Sequence, residues 1–312
     1  MKILVVICTR KRPVLLGELL ASCARIEGDL NEKVDFLIIE NGPETPSKLV
    51  VEQFSDKLNI TYAHEPKVGL VWARNLAVSF IAAHEYEWVG SFDDDQLVDP
   101  NWLNEILAIL AEHDDAEIIT GRIIPKYPGE SRSILKFNMP NPSLKSRIVN
   151  RALVVNSLIR SHNFRPGDST RSFDMCLNLI GGEDVLFIQH IRARGGKIRS
   201  APRAIVHEVM VPERSTNRFA MHRSFTLGQQ TGAILMAFYG PIKGRLLRLL
   251  TAPKTLLRSI AFAFFGLFVV VVYEKMGLWM FGKAFRLFFG FCGQVSTIFT
   301  RPYKEYERVV GS

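Results

Sequence analysis

The first hundred residues alternate short apolar runs with helical patterns, and this alternation constrains the fold more than any other feature. Residues 3–7 predict a strand, 14–25 a helix, and 35–39 a second strand ending at the turn Asn41-Gly42-Pro43. A helix near 47–56 and a short strand at 60–63 follow. The next helix, over 71–85, places Leu76, Phe80 and Ala83 at i, i+4 and i+7. Residues 88–92 predict a further strand. Asp99-Pro100 reads as the N-cap and first position of a helix with Leu103, Ile106, Leu107 and Leu110 on one face. Such alternation implies an α/β fold with a mostly parallel, doubly wound central sheet. Ligands in such sheets bind beyond the carboxyl ends of the strands. Both Thr9-Arg10-Lys11-Arg12 and Asp93-Asp94-Asp95 fall at such ends.

From 121 to about 170 the pattern weakens, and Pro125, Pro128, Pro140, Pro142 and Pro166 mark irregular chain. Regular structure resumes at Gly181-Gly182-Glu183-Asp184, ahead of a helix with Phe187, Ile188 and Ile191 that Gly195-Gly196 stops. A strand is expected to end near Val206-His207. The four cysteines (Cys8, Cys23, Cys176, Cys292) form no CxxC pair, so neither a disulfide framework nor a zinc site is indicated. The apolar run 3–8 is too short for a signal-peptide core and reads as a buried first strand, with no export implied.

The net charge of +8 is unevenly spread. Residues 212–312 carry 14 Lys/Arg and 4 Asp/Glu, against 25 and 27 in residues 1–211. The basic third is also the most apolar, which favours an anionic membrane surface over nucleic acid, and no nucleic-acid-reading module accompanies the charge. Residues 259–273 form an uncharged run of fifteen, about 22 Å as a helix against roughly 30 Å of bilayer hydrocarbon. Beyond it, Leu278, Phe281, Phe285, Phe288 and Cys292 share one helical face, with Lys283, Arg286 and Gly290 on the other. That is the pattern of an interfacial helix, and residues 255–300 are expected to meet a membrane, whether lying on it, dipping into it or spanning it. A pair of buried core helices is the alternative.

Three carboxylates at a strand end raise one another's pKa, and a divalent cation relieves the repulsion. Hard oxygens suit Mg²⁺ or Mn²⁺, ions that keep waters and bridge phosphates. Residues two apart point the same way, so Asp93 and Asp95 can face one ligand while Asp94 points elsewhere. On this reading the compensating cation is one the chain does not encode. The alternative is a solvated acidic turn.

The ordered set CTRKRP (8–13), ENGP (40–43), GLVWARN (69–75), DDD (93–95) and GGED (181–184) resembles the family-2 glycosyltransferases of the GT-A fold, over about residues 1–235. The match is closest to bacterial succinoglycan-type glucosyltransferases, which share HEPKVGLVWARN and MHRSFTLGQQTG as well. The resemblance implies a Rossmann-like sheet of the nucleotide-diphospho-sugar transferase type with a C-terminal apolar and amphipathic helical segment. Residues 1–120 would be the donor half, 121–235 the acceptor half and 236–312 a membrane-associating tail. It further implies that Thr9, Arg12, Glu40 and Arg74 line the nucleotide pocket, where Asp is commoner than Glu40. Asp93 and Asp94 would fall on the donor side, Asp95 would bind metal, and His207 would supply a later metal or phosphate contact. Asp184 matches the general base, with Glu183 beside it as a like charge. Arg214, Arg218 and Arg223 are placed to steady phosphates or to face lipid.

The expected function is inverting transfer of a sugar, glucose by the resemblance, from a UDP-sugar to a lipid-linked saccharide at the cytoplasmic face of the inner membrane, with Mg²⁺ or Mn²⁺. The QxxRW pattern of processive synthases is absent, which points to single-sugar addition. The rivals are a catalytically silent nucleotide-sugar-binding scaffold and a metal-dependent phosphohydrolase.

Overall fold

Four apolar runs become parallel strands: β1 (Ile3–Thr9), β2 (Val34–Asn41), β3 (Ile60–Glu65) and β4 (Trp88–Asp93). The computed structural model describes residues 1–127, 145–212, 216–300 and 302–304. β1 and β2 are buried along nearly their whole length because helices cover both faces of the sheet. Alternate residues serve opposite faces. Ile3, Val5 and Ile7 join the core built with α1 (Pro13–Cys23) and α5 (Trp102–Glu112). Leu4 and Val6 join the core built with α4 (Leu70–Ala82) and α6 (Glu183–Ala193). Two short helices, α2 (Leu30–Lys33) and α3 (Lys48–Glu52), complete the crossovers around β2.

The sheet has eight strands in the order β3-β2-β1-β4-β7-β6-β8-β5, with β5 (Gln96–Val98), β6 (Ala116–Lys126), β7 (Ser157–Arg160) and β8 (Lys197–Val209) forming the second half. The pairs β1–β2, β1–β4, β2–β3 and β6–β8 are parallel, and the other three are antiparallel. Only Asp94 and Asp95 separate β4 from β5, a reach of about 11 Å. A flat sheet would set those strands about 19 Å apart. The sheet therefore curls until β5, on its far edge, returns beside the end of β4, and the acidic turn closes that curl.

Several expectations are corrected. The helix expected to start at Asp99-Pro100 starts at Trp102, with Asn101 as N-cap. The Asp99 carboxylate accepts the Asn101 N–H at 3.0 Å and its carbonyl accepts the Trp102 N–H at 3.0 Å, so a turn forms first. The stretch expected to be irregular contains β7 and the end of β6, which runs through Gly121 and Pro125. Pro128, Pro140 and Pro142 lie outside the described residues. β8 continues past His207 to Val209.

The C-terminal part folds as three helices, α7 (Asn217–Tyr239), α8 (Pro241–Val272) and α9 (Glu274–Phe299). α8 begins well before the uncharged run, and among the described residues it is the one helix long and apolar enough to cross a membrane by length and composition. α9 is held by its small residues rather than its phenylalanines: Gly277, Gly282, Ala284 and Gly293 are buried, while Phe288 is exposed. The reason is a close approach. A side chain at Gly293 would collide with the Phe225 carbonyl of α7.

One buried side chain ties the second half of the sheet together. The Asn156 amide accepts the Trp102 indole N–H at 2.8 Å and donates to the carbonyls of Arg122 and Ala204, both at 3.1 Å. Asn156→Ala strands these buried groups and should lower unfolding free energy by about 2–4 kcal/mol, read from urea denaturation of the purified protein. A change below about 0.5 kcal/mol would show that this hub does not hold the sheet.

Candidate active site

The carboxyl ends of the parallel strands stand in one row. Thr9 lies opposite Glu40, Glu40 opposite His64, and Cys8 opposite Asp93. The strand order reverses at β1, since the chain leaves it for β2 on one side and reaches β4 on the other. Such a switch point opens a crevice, and here Thr9 and Asp93 border it.

The acidic turn divides its three carboxylates between protein and crevice. Asp94 is buried and turned inward, accepting the Thr9 hydroxyl at 2.9 Å and the Arg12 guanidinium at 2.8 Å. Arg12 also stands 3.7 Å from the Asp95 carboxylate. The chain thus supplies part of the compensating charge that the sequence reading left wholly to an external cation, because Arg12 folds in from the loop after β1. Burial still raises the Asp94 carboxyl, with Arg12 and the Thr9 hydrogen bond opposing it. Asp93 keeps a solvent-facing edge. The protein behind it and Asp95 beside it push its carboxyl up to about 7, while Arg74 pulls it down. Water at the open edge moderates these effects.

A second cluster sits where α4 meets α6. Arg74 donates to Glu183 at 2.6 Å, and both are buried. The guanidinium also lies over the Phe173 ring at 5.3 Å. Burial opposes the Arg74 charge, yet Glu183, Asp184 and Asp93 outweigh it and hold its pKa raised. One cation therefore feels both the acidic turn and the Glu183-Asp184 pair. Burial raises Glu183 and Arg74 opposes that. The Asp184 carboxylate is half-buried and makes no hydrogen bond or ion pair among the described residues.

The chain enters α6 through Gly182 at φ +90, where a side chain would also meet Ile234 of α7 at 2.7 Å. Gln230 of α7 donates to the Ile180 carbonyl at 2.8 Å, holding the loop from behind. Arg223, seven residues earlier on the same face of α7, lowers the Glu183 pKa. Arg214 lies outside the described residues.

Glu40 is fully buried. Both of its oxygens accept the Ser47 N–H at 3.1 Å, and one also accepts the Tyr62 hydroxyl at 2.8 Å. Its carboxylate shapes the loop that follows β2 from beneath. His207 pairs with Leu97 of β5 and Ile124 of β6. The Asp95 carbonyl accepts the Val209 N–H at 2.8 Å, so alternation along β8 puts His207 on the face of Asp95, one diagonal away. No group of three or more His, Cys, Asp or Glu side chains among the described residues is gathered as a metal cage. Asp93 and Asp95 are nonetheless two hard oxygen donors close enough to repel. That donor set suits a Mg²⁺- or Mn²⁺-type ion completed by water and phosphate.

Sequence reasoning missed three contributors. Asn41 accepts the Gly69 N–H at 2.8 Å and donates to the Lys67 carbonyl at 2.6 Å, linking the end of β2 to the start of α4. Tyr62 supports Glu40, and strand alternation alone could have placed it on that side. Glu208 raises Asp93, a proximity that only the β5–β8 pairing creates.

Comparison with known proteins identifies this arrangement. Residues 4–169 match the family model described as glycosyl transferase family 2. The chain belongs to that family. It is 26% identical over 236 residues to the succinoglycan biosynthesis protein ExoM of Rhizobium meliloti (strain 1021), covering 73% of this chain and 74% of that one. Among solved structures, S. aureus TarS 1-349 in complex with UDP superposes with a TM-score of 0.53 at 17% identity, covering 96% of this chain and 91% of that one. The mannosyltransferase PcManGT from Pyrobaculum calidifontis, in complex with GDP-Man and Mn2+, gives a TM-score of 0.61 at 15% identity, covering 94% and 87%. The fold of this family-2 glycosyltransferase is accordingly of GT-A type, with the long apolar helix α8 appended.

The buried Arg74–Glu183 pair generates a test. Arg74→Met leaves a buried carboxylate without its cation and should cost about 3–5 kcal/mol of stability. Adding Glu183→Leu removes the stranded charge and should restore most of that loss. A double variant no more stable than the single would show that the two residues do not act as a pair, and chemical denaturation of all three proteins measures it.

Proposed function

We propose that this family-2 glycosyltransferase moves a sugar, glucose by its resemblance, from a UDP-sugar to a lipid-linked saccharide during cell-surface polysaccharide synthesis. It does so with inversion, at the cytoplasmic face of the membrane. Residues 1–120 form the donor half, 121–235 the acceptor half and 236–312 the membrane tail. The observation that carries the reading is the arrangement around Arg74. A crevice at the strand switch point, bordered by Asp93, shares one cation with a Glu183-Asp184 pair in which Glu183 is engaged and Asp184 is not. The relatives support it: a succinoglycan biosynthesis protein, and structural neighbours in complex with UDP or with GDP-Man and Mn2+.

The donor's nucleotide lies at the strand ends, along Thr9, Arg12 and Arg74, with its diphosphate toward Asp93 and Asp95. The buried Glu40 shapes the pocket from beneath rather than touching the donor. A divalent cation held there would offset the charge that grows on the departing nucleoside diphosphate. Asp184 takes the proton of the acceptor hydroxyl as its oxygen bonds to the anomeric carbon. The bond from that carbon to the diphosphate oxygen breaks, on the opposite side, as the new bond forms. Glu183 cannot share the role while it neutralises Arg74. His207, diagonal to Asp95, stands ready for the released phosphates.

Asp184→Asn should keep donor binding and lose transfer by roughly 10²–10⁴-fold. The assay incubates membranes carrying the protein with radiolabelled nucleotide sugars and Mn2+, and follows label into the lipid fraction. Near-normal turnover would remove Asp184 from the mechanism. Release of sugar phosphate in place of nucleoside diphosphate would favour a phosphohydrolase. In the same assay, chelation should abolish transfer, and Asp95→Ala should raise the Mn2+ needed for half-maximal rate by roughly tenfold or more. Transfer that survives complete chelation would separate the acidic turn from any metal role.

A further inference from the structure

α8 is amphipathic in the reverse of the usual sense. Its buried side is small or polar: Gly244, Arg248, Ala252, Ser259 and Gly266 pack inward, with Arg248 donating to Thr297 of α9 at 2.6 Å. Its outer side is apolar. Ile242, Leu246, Leu249, Ile260, Phe264 and Val271 recur at helical spacing along one stripe, each 54–85% exposed. The stripe runs nearly the whole helix, about 48 Å for 32 residues. In water such a helix is inside out.

Charge specifies what covers it. Residues 217–272 contain seven Lys/Arg and no Asp or Glu. Lys243 and Lys254, three turns apart, border one edge of the stripe and Arg245 borders the other, and all three are exposed. Apolar side chains flanked by cations along the first half of the helix fit the boundary between acyl chains and anionic headgroups. A crossing does not fit. The charge-free part of α8 after Arg258 is only about 21 Å long, short of the roughly 30 Å hydrocarbon. A crossing there would leave Ile242 to Leu249 in water. Entry tip-first would carry Glu274 and Lys275, at the α8–α9 turn, into hydrocarbon.

We infer that α8 lies in the plane of one leaflet of an anionic bilayer, its stripe from Ile242 to Val271 among the acyl chains and its flanking cations at the lipid phosphates. The inference deepens the membrane-side reading above and rests on it. The membrane-binding surface thus starts at Ile242, ahead of the segment 255–300, and the chain enters the bilayer without crossing it.

The test floats the full-length protein with phosphatidylcholine vesicles, with and without phosphatidylglycerol. Leu246→Glu/Leu249→Glu should weaken flotation by roughly tenfold or more, with the melting temperature unchanged because both side chains are exposed. Lys243→Glu/Lys254→Glu should abolish the preference for phosphatidylglycerol. Tyr273→Cys should stay unlabelled by an impermeant maleimide sealed inside the vesicles. Wild-type flotation of the leucine variant, or labelling of Tyr273→Cys from the lumen, would overturn the inference. So would a lipid-free dimer that the leucine variant dissociates while still floating, because a second copy would then own the stripe. Flotation as expected with no sugar transfer would overturn the transferase reading alone.

Discussion

The buried contact between Arg74 and Glu183, 2.6 Å long, joins residues 109 positions apart in sequence. Removing two charges from water costs several kcal/mol each, so the pair adds little net stability over an apolar alternative. What it contributes is position. Either partner alone would be stranded, so α4, which follows β3, and the first turn of α6 must meet at this point. Arg74 then stands within electrostatic reach of Asp93 as well as Asp184. The acidic turn and the Glu183-Asp184 pair belong to one field because one cation serves both.

Much else follows from that meeting. Gly182 has to turn the chain into α6 without a side chain, since Ile234 occupies the space one would need. Gln230 has to take the Ile180 carbonyl, which would otherwise be left unpaired at the contact with α7. With Glu183 committed to Arg74, its neighbour is left with an unengaged carboxylate. Two adjacent acids thus acquire different environments through the partner that only one of them can reach, which is how a site separates like groups by role.

The first hundred residues were legible because their signals are local. Apolar runs of strand length, helical repeats between them and acids at a strand end survive in one dimension, and β1 to β4 form near the expected residues. Alternation predicted Asp94 alone to point elsewhere, yet Asp94 and Asp95 lie in a turn and both approach Arg12, at 2.8 and 3.7 Å. The inward partner of Asp94 was not legible, because Arg12 was expected to face the nucleotide and only the fold brings it to Asp94, 82 residues on. The second half of the sheet was obscure for a related reason. β7 is four residues long and takes its place between β4 and β6 by antiparallel pairing, with no crossover helix to announce it. The phenylalanine face of α9 was legible as an apolar stripe, but its contact face was not, because the glycines that make the contact carry no hydropathy signal.

α7 carries the consequence furthest. One side of it, Arg223, Gln230 and Ile234, faces the loop that presents Asp184. The other side meets α9: Gln229 donates to Ser296 at 3.0 Å, and the Phe225 carbonyl abuts Gly293. Contacts this close leave no room for the helices to slide, because backbone meets backbone without an intervening side chain. Packing thus connects α8 and α9, through α7, to the Gly181-Gly182 turn. On the proposed function, a bilayer that holds α8 would also hold the loop carrying Asp184 near the lipid, on the side from which a lipid-linked acceptor comes.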